Sequence, residues 1–272
     1  GIKVYTSIGM DIINIGDDFM QLVIITALGV GMATVFGSFI GFALKKIPHR
    51  FNDITLSFAA GIMLAAAVLG LIIPAMESGE GVGNLLVVIA GIICGAVFLS
   101  LMDKVVPHMH HITGVDTESH GESTKHLNRV MLFVMAIAIH NLPEGIAAGV
   151  GFGTGNIADA VVIAGGIALQ NIPEGMVIIA PMLAAGISHK RTFLIAIITG
   201  VVEVIGTLLG YFAVSVSTAV LPFALAFAGG TMLYVISDEM IPETHAHGSE
   251  RGATYSLLAG FCLMLAFDVL LG

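Results

Sequence analysis

The sequence predicts an all-α, polytopic membrane protein with eight transmembrane helices and inverted-repeat character. Three features predict it: the composition, eight long apolar segments, and the placement of the basic residues. The 272-residue chain is 57% hydrophobic and 11% charged, with a mean hydropathy of +1.00. Soluble domains carry about 25% charged residues. One water-soluble core cannot bury this much apolar surface, so we expect lipid to be the solvent.

Eight segments are long enough to cross a membrane, which requires roughly 20 mostly apolar residues. They are numbered here as spans one to eight and cover about 19–44, 54–76, 84–106, 129–152, 157–182, 191–214, 217–240 and 253–272. The connectors are short except for the polar stretch from His108 to Asn128. The segments are too long, and lack the alternation, for barrel strands. We therefore expect one membrane domain over residues 1–272, in contact with the lipid bilayer.

The basic residues predict the orientation of the spans. Nine of the ten fall in connectors that share one face, and only Lys3 lies on the other; the nine are Lys45, Lys46, Arg50, Lys104, Lys125, Arg129, Lys190, Arg191 and Arg251. The positive-inside rule makes their face cytoplasmic. We expect a multi-pass protein of the bacterial inner (plasma) membrane, with the start of span one and the end of span eight on the periplasmic or extracellular side.

Other features narrow the class of protein. The net charge of −9 argues against nucleic acid as a partner. Residues 1–18 show no charged region followed by a cleavage site, so we expect no signal peptide there, and a further helix before Gly1 is left open. Cys94 and Cys262 fall in apolar runs and are expected to be packing residues rather than a disulfide. A homodimer is one oligomeric state that the sequence permits.

Three glutamates lie near the middle of spans four, five and six: Glu144, Glu174 and Glu203. No Lys or Arg lies at that depth, so the usual ion-pair partner is missing. Ionisable groups inside a membrane are expensive and mark functional sites by default. Either these carboxyl groups are protonated or a cation supplies their counter-charge.

A six-residue motif surrounds two of these glutamates. It occurs as His140-Asn141-Leu142-Pro143-Glu144-Gly145 in span four and as Gln170-Asn171-Ile172-Pro173-Glu174-Gly175 in span five. Helical spacing puts the first residue and the glutamate on one face, with the Asn flanking the same carboxylate. We therefore expect two adjacent cation centres: one of His140, Gln170 and both glutamates, the other of Asn141, Asn171, the same glutamates and Glu203.

The motif also bears on topology and backbone. Spans four and five are consecutive and hence antiparallel, so a shared motif implies a two-fold axis in the membrane plane. Pro143 and Pro173 cannot donate to the carbonyls of Ile139 and Leu169. We expect both helices to be kinked at mid-membrane, where irregular backbone is tolerated beside a polar cavity.

The types of ligand narrow the choice of ion. Imidazole beside carboxylates suits zinc and other first-row divalent ions, and no thiol is near to favour copper(I). We expect little discrimination among zinc, cadmium, iron and manganese. Zn²⁺ or Cd²⁺ would be the transported substrate, and no prosthetic group is expected.

At these residues the chain resembles the ZIP (Zrt-, Irt-like) family of divalent-metal transporters, in particular its bacterial, GufA-like members. The resemblance rests on the two motifs, the eight spans and the histidine-bearing connector, and covers essentially the whole chain. It implies zinc-preferring uptake into the cytoplasm through a binuclear site, with the ligands His140, Asn141, Glu144, Gln170, Asn171, Glu174 and Glu203. It also implies that spans one, four, five and six move against the other four in an elevator-like step. The family often has His at the position of Gln170.

Further residues are auxiliary metal-binding candidates, each with a structural alternative. Met63 could be a soft gate ligand or core packing. Asp268, near the outer end of span eight, could recruit cations or be solvated. Histidine-rich tracts bind metal, so the connector residues could meet arriving metal or be plain solvated loop; they are His108, His110, His111, His120 and His126. The same holds for a second group of Glu239, Glu243, His245 and His247.

We therefore expect a transporter and not an enzyme, since the motif repeats across antiparallel helices. The alternative is an intramembrane metallohydrolase that uses the same His and Glu residues with an activated water. The sequence has no H-E-x-x-H and no phosphate-cradling G-x-x-x-x-G-K-[ST], which disfavours a zinc protease and a built-in ATP motor. A metal-sensing receptor is a second alternative, although no soluble signalling domain is present.

Overall fold

The structure is a computed structural model that describes residues 15–44, 48–112, 140–184, 186–246 and 248–271. All regular secondary structure in these ranges is helical. Seven helices there are long and apolar enough to cross a membrane; they are Phe19–Leu44, Arg50–Glu77, Gly81–Met102, Ile157–Val177, His189–Val216, Leu221–Thr244 and Glu250–Leu271. They match seven of the eight predicted spans, which confirms the all-α polytopic class.

Several spans differ from the prediction at their ends. Span one is helical over Ile15–Leu44, and span five breaks after Val177, with a short helix Ile179–Ala184 behind it. Span four is described only from His140; residues 140–151 are helical, a 3-10 turn Phe152–Thr154 follows, and the predicted first half lies outside the described residues.

Span three is longer than predicted. Its helix covers Gly81–Ile112 instead of ending near 106, because apolar residues continue between the polar ones up to Ile112. The prediction that His108, His110 and His111 belong to a loop is therefore wrong, because their backbone is helical. The structure does not describe their side chains, and His120 and His126 lie outside the described residues.

Two spans contain π-helical turns, each just before an Ile-Pro pair. Span two consists of His49–Ala65, a π-helical segment Ala66–Ile72, and Ile73–Glu77. Span seven consists of Leu221–Val235, a π-helical segment Ile236–Met240, and Ile241–Thr244. Proline lacks an amide proton, and the residue before it bonds five residues back in both spans: Ile73 to the Val68 carbonyl and Ile241 to the Ile236 carbonyl. By contrast, span five continues through Pro173 as an α-helix.

Spans two and seven also share a sequence. Phe58-Ala59-Ala60-Gly61-Ile62-Met63-Leu64 corresponds to Phe227-Ala228-Gly229-Gly230-Thr231-Met232-Leu233, and each stretch leads to a π-helical segment and Ile-Pro. An even-numbered and an odd-numbered span run in opposite directions, so this is a second antiparallel repeat. It supports the predicted inverted-repeat character and lies outside the motif-bearing spans.

Glycine contacts divide the described helices into two groups. In the first group a Cβ at glycine would strike a neighbouring backbone: Gly37 and Gly175 join spans one and five, Gly31 and Gly200 join one and six, and Gly145, Gly149, Gly206 and Gly210 join four and six. In the second group Gly61 and Gly260 join spans two and eight, and Gly95 and Gly230 join three and seven. Such close backbone approach is typical of membrane helix pairs.

Contacts between the two groups are of a different kind. A Cβ at Gly70 of span two would lie 2.7 Å from Ile163 Cγ1, and one at Gly166 of span five would lie 2.7 Å from Met264 Sδ. These partners are side chains rather than backbone. Ile163, Ile167 and Met264 are buried in the largest core cluster, which fills part of the contact between the groups.

The outward surface of the described spans is apolar. Residues such as Leu86 and Ile93 of span three and Met32 of span one are more than half exposed, as expected for side chains that face lipid. Cys94 and Cys262 are unbonded and exposed. The expectation that they pack in the core is thus wrong, because both side chains lie on helix faces that no other described residue covers.

Candidate metal site

All seven predicted ligands lie inside the helix bundle. Their relative exposure ranges from 0% for Gln170, Asn171 and Glu203 to 8% for Glu174. Spans four, five and six supply them; glycine contacts bring spans four and six together and bring spans five and six against span one. All seven side chains are therefore shielded inside the bundle.

The first pair of ligands joins the two motifs. The Gln170 amide donates to Glu144 Oε1 over 2.7 Å, and both residues are buried. This contact unites the first residue of the second motif with the glutamate of the first motif. Gln170 and Glu144 were assigned to the same predicted centre, and the second carboxylate oxygen of Glu144 has no hydrogen-bond partner among the described residues.

The second pair lies around Glu203. Asn171 Nδ2 donates to Glu203 Oε1, and also to the backbone carbonyl of Val30 at 3.3 Å. Thr34 Oγ1 donates to Glu203 Oε2 at 3.1 Å. Span one therefore forms part of this centre through a hydroxyl and a carbonyl. No local pattern marks either group, and sequence reasoning missed both of them.

Several buried polar atoms of the site have no hydrogen-bond partner among the described residues. They are both amide atoms of Asn141, Glu144 Oε2, Gln170 Oε1 and Asn171 Oδ1. Buried polar groups are almost always paired, so each exception calls for an explanation. Four of the five are oxygens, which are the atoms that carboxylate and amide side chains offer to a cation.

His140 has a partner that the sequence did not predict. Its Nε2 lies 2.6 Å from Glu239 Oε1 of span seven, and Glu239 is 27% exposed. A cavity with an empty volume of about 420 Å³ adjoins the pair; its lining residues are Leu56, His140, Glu174, Val177, Glu239, Met240 and Glu243. The cavity thus connects two predicted ligands with the end of span seven, where Glu243 is exposed.

The ionisable side chains of the site are close enough to interact electrostatically. Glu144 interacts electrostatically with Glu174 and Glu203, and Glu174 interacts with His140 and Glu239. No Lys or Arg side chain is paired with any of the three glutamates in the described part of the chain. Carboxylates that repel one another inside a bundle favour a cation between them.

The predicted ligand side chains do not converge on a single metal position. Within the described residues, no three His, Cys, Asp or Glu side chains are close enough to hold one metal ion. Glu144 is turned to Gln170, Glu203 to Asn171 and His140 to Glu239. Amide oxygens of Asn and Gln complete the set, and side-chain rotation is needed before three or four ligands surround one ion.

The auxiliary candidates are placed as follows. Met63 is buried in the core cluster, and Asp268 is half-buried near the end of span eight. His245 Nδ1 lies 2.8 Å from the Ile241 carbonyl and its Nε2 lies 3.4 Å from Thr254 Oγ1. His245 therefore caps span seven, and among these candidates Glu239 and Glu243 line the cavity.

Comparison with known proteins adds independent information. A sequence model of the family described as "ZIP Zinc transporter" matches residues 107–268. The chain is 41% identical to the zinc transporter GufA of Myxococcus xanthus, over 92% of this chain and 98% of that protein. It is 38% identical to the zinc transporter ZIPB of Bordetella bronchiseptica, over 88% and 78%. It is 32% identical to the zinc transporter ZIP11 of Xenopus tropicalis, over 93% and 98%.

Proposed function

The chain belongs to the ZIP zinc transporter family, and on that premise we propose that it carries zinc across the membrane into the cytoplasm. The transport path passes between spans four, five and six. The observation that carries the proposal is a set of three buried glutamates that have no Lys or Arg partner among the described residues and are joined through His140 and Glu239 to a cavity at one end of the bundle. Zinc is the substrate named for the relatives, and a divalent cation supplies the charge that these carboxylates lack.

The polar groups support two adjacent zinc centres. The first consists of His140, Glu144, Gln170 and Glu174; the second consists of Asn141, Asn171, Glu203 and the same two central glutamates. The Gln170–Glu144 hydrogen bond joins two residues of the first centre, and the Asn171–Glu203 hydrogen bond joins two residues of the second. The unpaired oxygens of Glu144, Gln170, Asn171 and Asn141 are available for coordination. Because the set contains mostly oxygen ligands with one imidazole, we also expect cadmium, iron and manganese to compete.

The cavity supports release toward the cytoplasm. Leu56 lies near the start of span two, and Glu239 and Glu243 lie near the end of span seven. The positive-inside rule assigns both ends to the cytoplasmic face. On the other side of the site, Ile163, Ile167 and Met264 are packed in the core. The arrangement corresponds to a transporter whose metal site is open inward and closed outward.

The two helix groups support movement of one body against the other. Backbone contacts at glycine lock spans one, four, five and six together, whereas Gly70 and Gly166 meet only side chains across the boundary. Side chains can change rotamer while interlocked backbones cannot separate without losing their packing. The ligands on spans four, five and six would travel with the first group, and Glu239 would remain with the second.

Zinc uptake by proteoliposomes tests the proposal. The purified wild-type protein should accumulate zinc, and cadmium, iron or manganese should compete. Glu144→Gln should lose uptake, whereas Thr231→Val, a buried substitution on span seven, should retain it. The alternative metallohydrolase predicts hydrolysis of a peptide or ester substrate without zinc flux. Hydrolysis without flux would overturn the transporter proposal.

A further inference from the structure

Most hydroxyl groups in the described spans bond to their own helix. Ser38, Thr199 and Thr231 donate to the carbonyl three residues earlier, at 2.6–2.9 Å. Thr55, Thr207 and Thr254 donate to the carbonyl four residues earlier, at 2.7–3.0 Å. This is the ordinary arrangement in apolar helices, because it satisfies the hydroxyl without a partner from another helix.

Thr34 of span one departs from this arrangement. Its hydroxyl donates to Glu203 Oε2 on span six. The carbonyl four residues earlier, that of Val30, accepts instead from Asn171 of span five. Thr34 is 1% exposed, so water does not explain the difference. One turn of span one therefore supplies a donor to one predicted zinc ligand and an acceptor to another.

Close backbone packing holds this turn of span one in place. A Cβ at Gly175 would strike the backbone of Thr34 itself, and a Cβ at Gly37 would strike the backbone of Ile172, the residue after Asn171. A Cβ at Gly31 would meet Gly200 on span six and lie 2.9 Å from Val204 Cγ2. The backbone that carries Thr34 is thus held against both neighbouring spans.

We propose that Thr34 is a positioning residue for zinc: its hydroxyl holds Oε2 of Glu203 and so keeps Oε1 beside Asn171, at the proposed second zinc centre. The proposal rests on the proposed zinc transport and adds to it a residue outside spans four to six. Carboxylates that bind metals are themselves held by hydrogen bonds, and loss of such a partner typically costs about 10–100-fold in metal affinity. Without the hydroxyl, Glu203 Oε2 would be buried and unsatisfied, and the carboxylate would be free to rotate.

The test compares two substitutions at Thr34. Thr34→Val removes the hydroxyl and keeps the branched shape, whereas Thr34→Ser keeps the hydroxyl and removes the methyl group. Thr231→Val is the control, because Thr231 is a buried threonine whose hydroxyl bonds to the Ala228 carbonyl of its own helix. Zinc uptake by proteoliposomes gives KM and the maximal rate per reconstituted protein, and calorimetry in detergent gives the zinc Kd.

For Thr34→Val we expect KM and Kd to rise about 10–100-fold, with little change in the maximal rate. Thr34→Ser should recover most of the lost affinity, and Thr231→Val should resemble the wild type. A merely structural role would lower the amount of folded protein and the maximal rate without changing the Kd. Should Thr34→Val fail to reach the membrane, Thr34→Ala removes the same hydroxyl, and the same rise is expected.

Three results would overturn the inference: an unchanged Kd in Thr34→Val, a Thr34→Ser variant as weak as Thr34→Val, or an equal loss in Thr231→Val. Failure of the proposed function looks different. In that case the wild-type protein itself would move no zinc, and a role of Thr34 in positioning a zinc ligand would be excluded as well.

Discussion

The imidazole Nε2 of His140 on span four lies 2.6 Å from the carboxylate Oε1 of Glu239 on span seven. This contact joins the helix group that carries the predicted zinc ligands to the other helix group. It also places a carboxylate at the point where the buried site meets the cavity. Glu239 is therefore placed to become the next ligand of a metal ion that leaves His140.

This geometry predicts the behaviour of Glu239→Gln. The substitution removes the charge that receives zinc from His140, so uptake should slow several-fold while remaining measurable. Glu250→Gln, a change to an exposed acid in the first turn of span eight, is the matched control and should have no effect. Initial rates of zinc uptake by proteoliposomes provide the measurement. An unimpaired Glu239→Gln variant would show that release does not use this carboxylate.

Replacing Glu144 or Glu174 with Ala or Gln should abolish zinc uptake, because both carboxylates serve both proposed centres. The proteins should still fold and insert. A buried carboxylate without a basic partner costs stability, so we expect the melting temperature of Glu144→Gln to be unchanged or higher. The chain has no Trp, so size-exclusion chromatography and circular dichroism are the suitable checks. Retained transport in either variant would contradict a shared role.

The zinc affinity should depend on pH in one direction. The imidazole and carboxylates must be deprotonated to bind metal, so each proton taken up on acidification competes with zinc. Affinity should therefore fall as the pH is lowered from neutral to mildly acidic and recover when it is restored. Calorimetric titrations across this range provide the test. A flat affinity profile would count against the His and Glu ligand set.

The predicted orientation can be tested with single cysteines in a protein that lacks Cys94 and Cys262. Glu80 is exposed in the connector between spans two and three, and Lys190 is exposed at the start of span six. An impermeant thiol reagent applied to whole cells or spheroplasts should label Glu80→Cys and leave Lys190→Cys unlabelled. The opposite pattern would invert the topology and turn the cavity outward.

The sequence predicted those parts of the site that depend on local helical geometry. The pairing of Gln170 with Glu144 and the burial of both motifs follow from residue spacing within spans four and five. The residues contributed from distant helices were not predictable in this way. Thr34 lies in an apolar run without any charge, and Glu239 resembles an ordinary acid near a helix end. Their roles depend on packing between spans that no local pattern specifies.

The positions of the prolines alone did not predict which helices contain π-helical turns. Pro143 and Pro173 stand within the motifs and were expected to kink their helices; span five is α-helical through Pro173, and the kink itself stays a prediction. The π-helical turns lie before Pro74 and Pro242 instead. The missing amide proton is the same in all four cases. Whether the helix widens into a π-helical turn before the proline depends on the packing around the preceding residues.

Anomalous diffraction at the zinc edge from zinc-soaked crystals tests the central claim most directly. The account predicts anomalous peaks between spans four, five and six, within about 2.0–2.6 Å of ligand atoms from His140, Glu144, Glu174 or Glu203. Two adjacent peaks would match the two proposed centres. Zinc bound only elsewhere, for example at exposed acids or at the histidines of the connector after span three, would contradict the account.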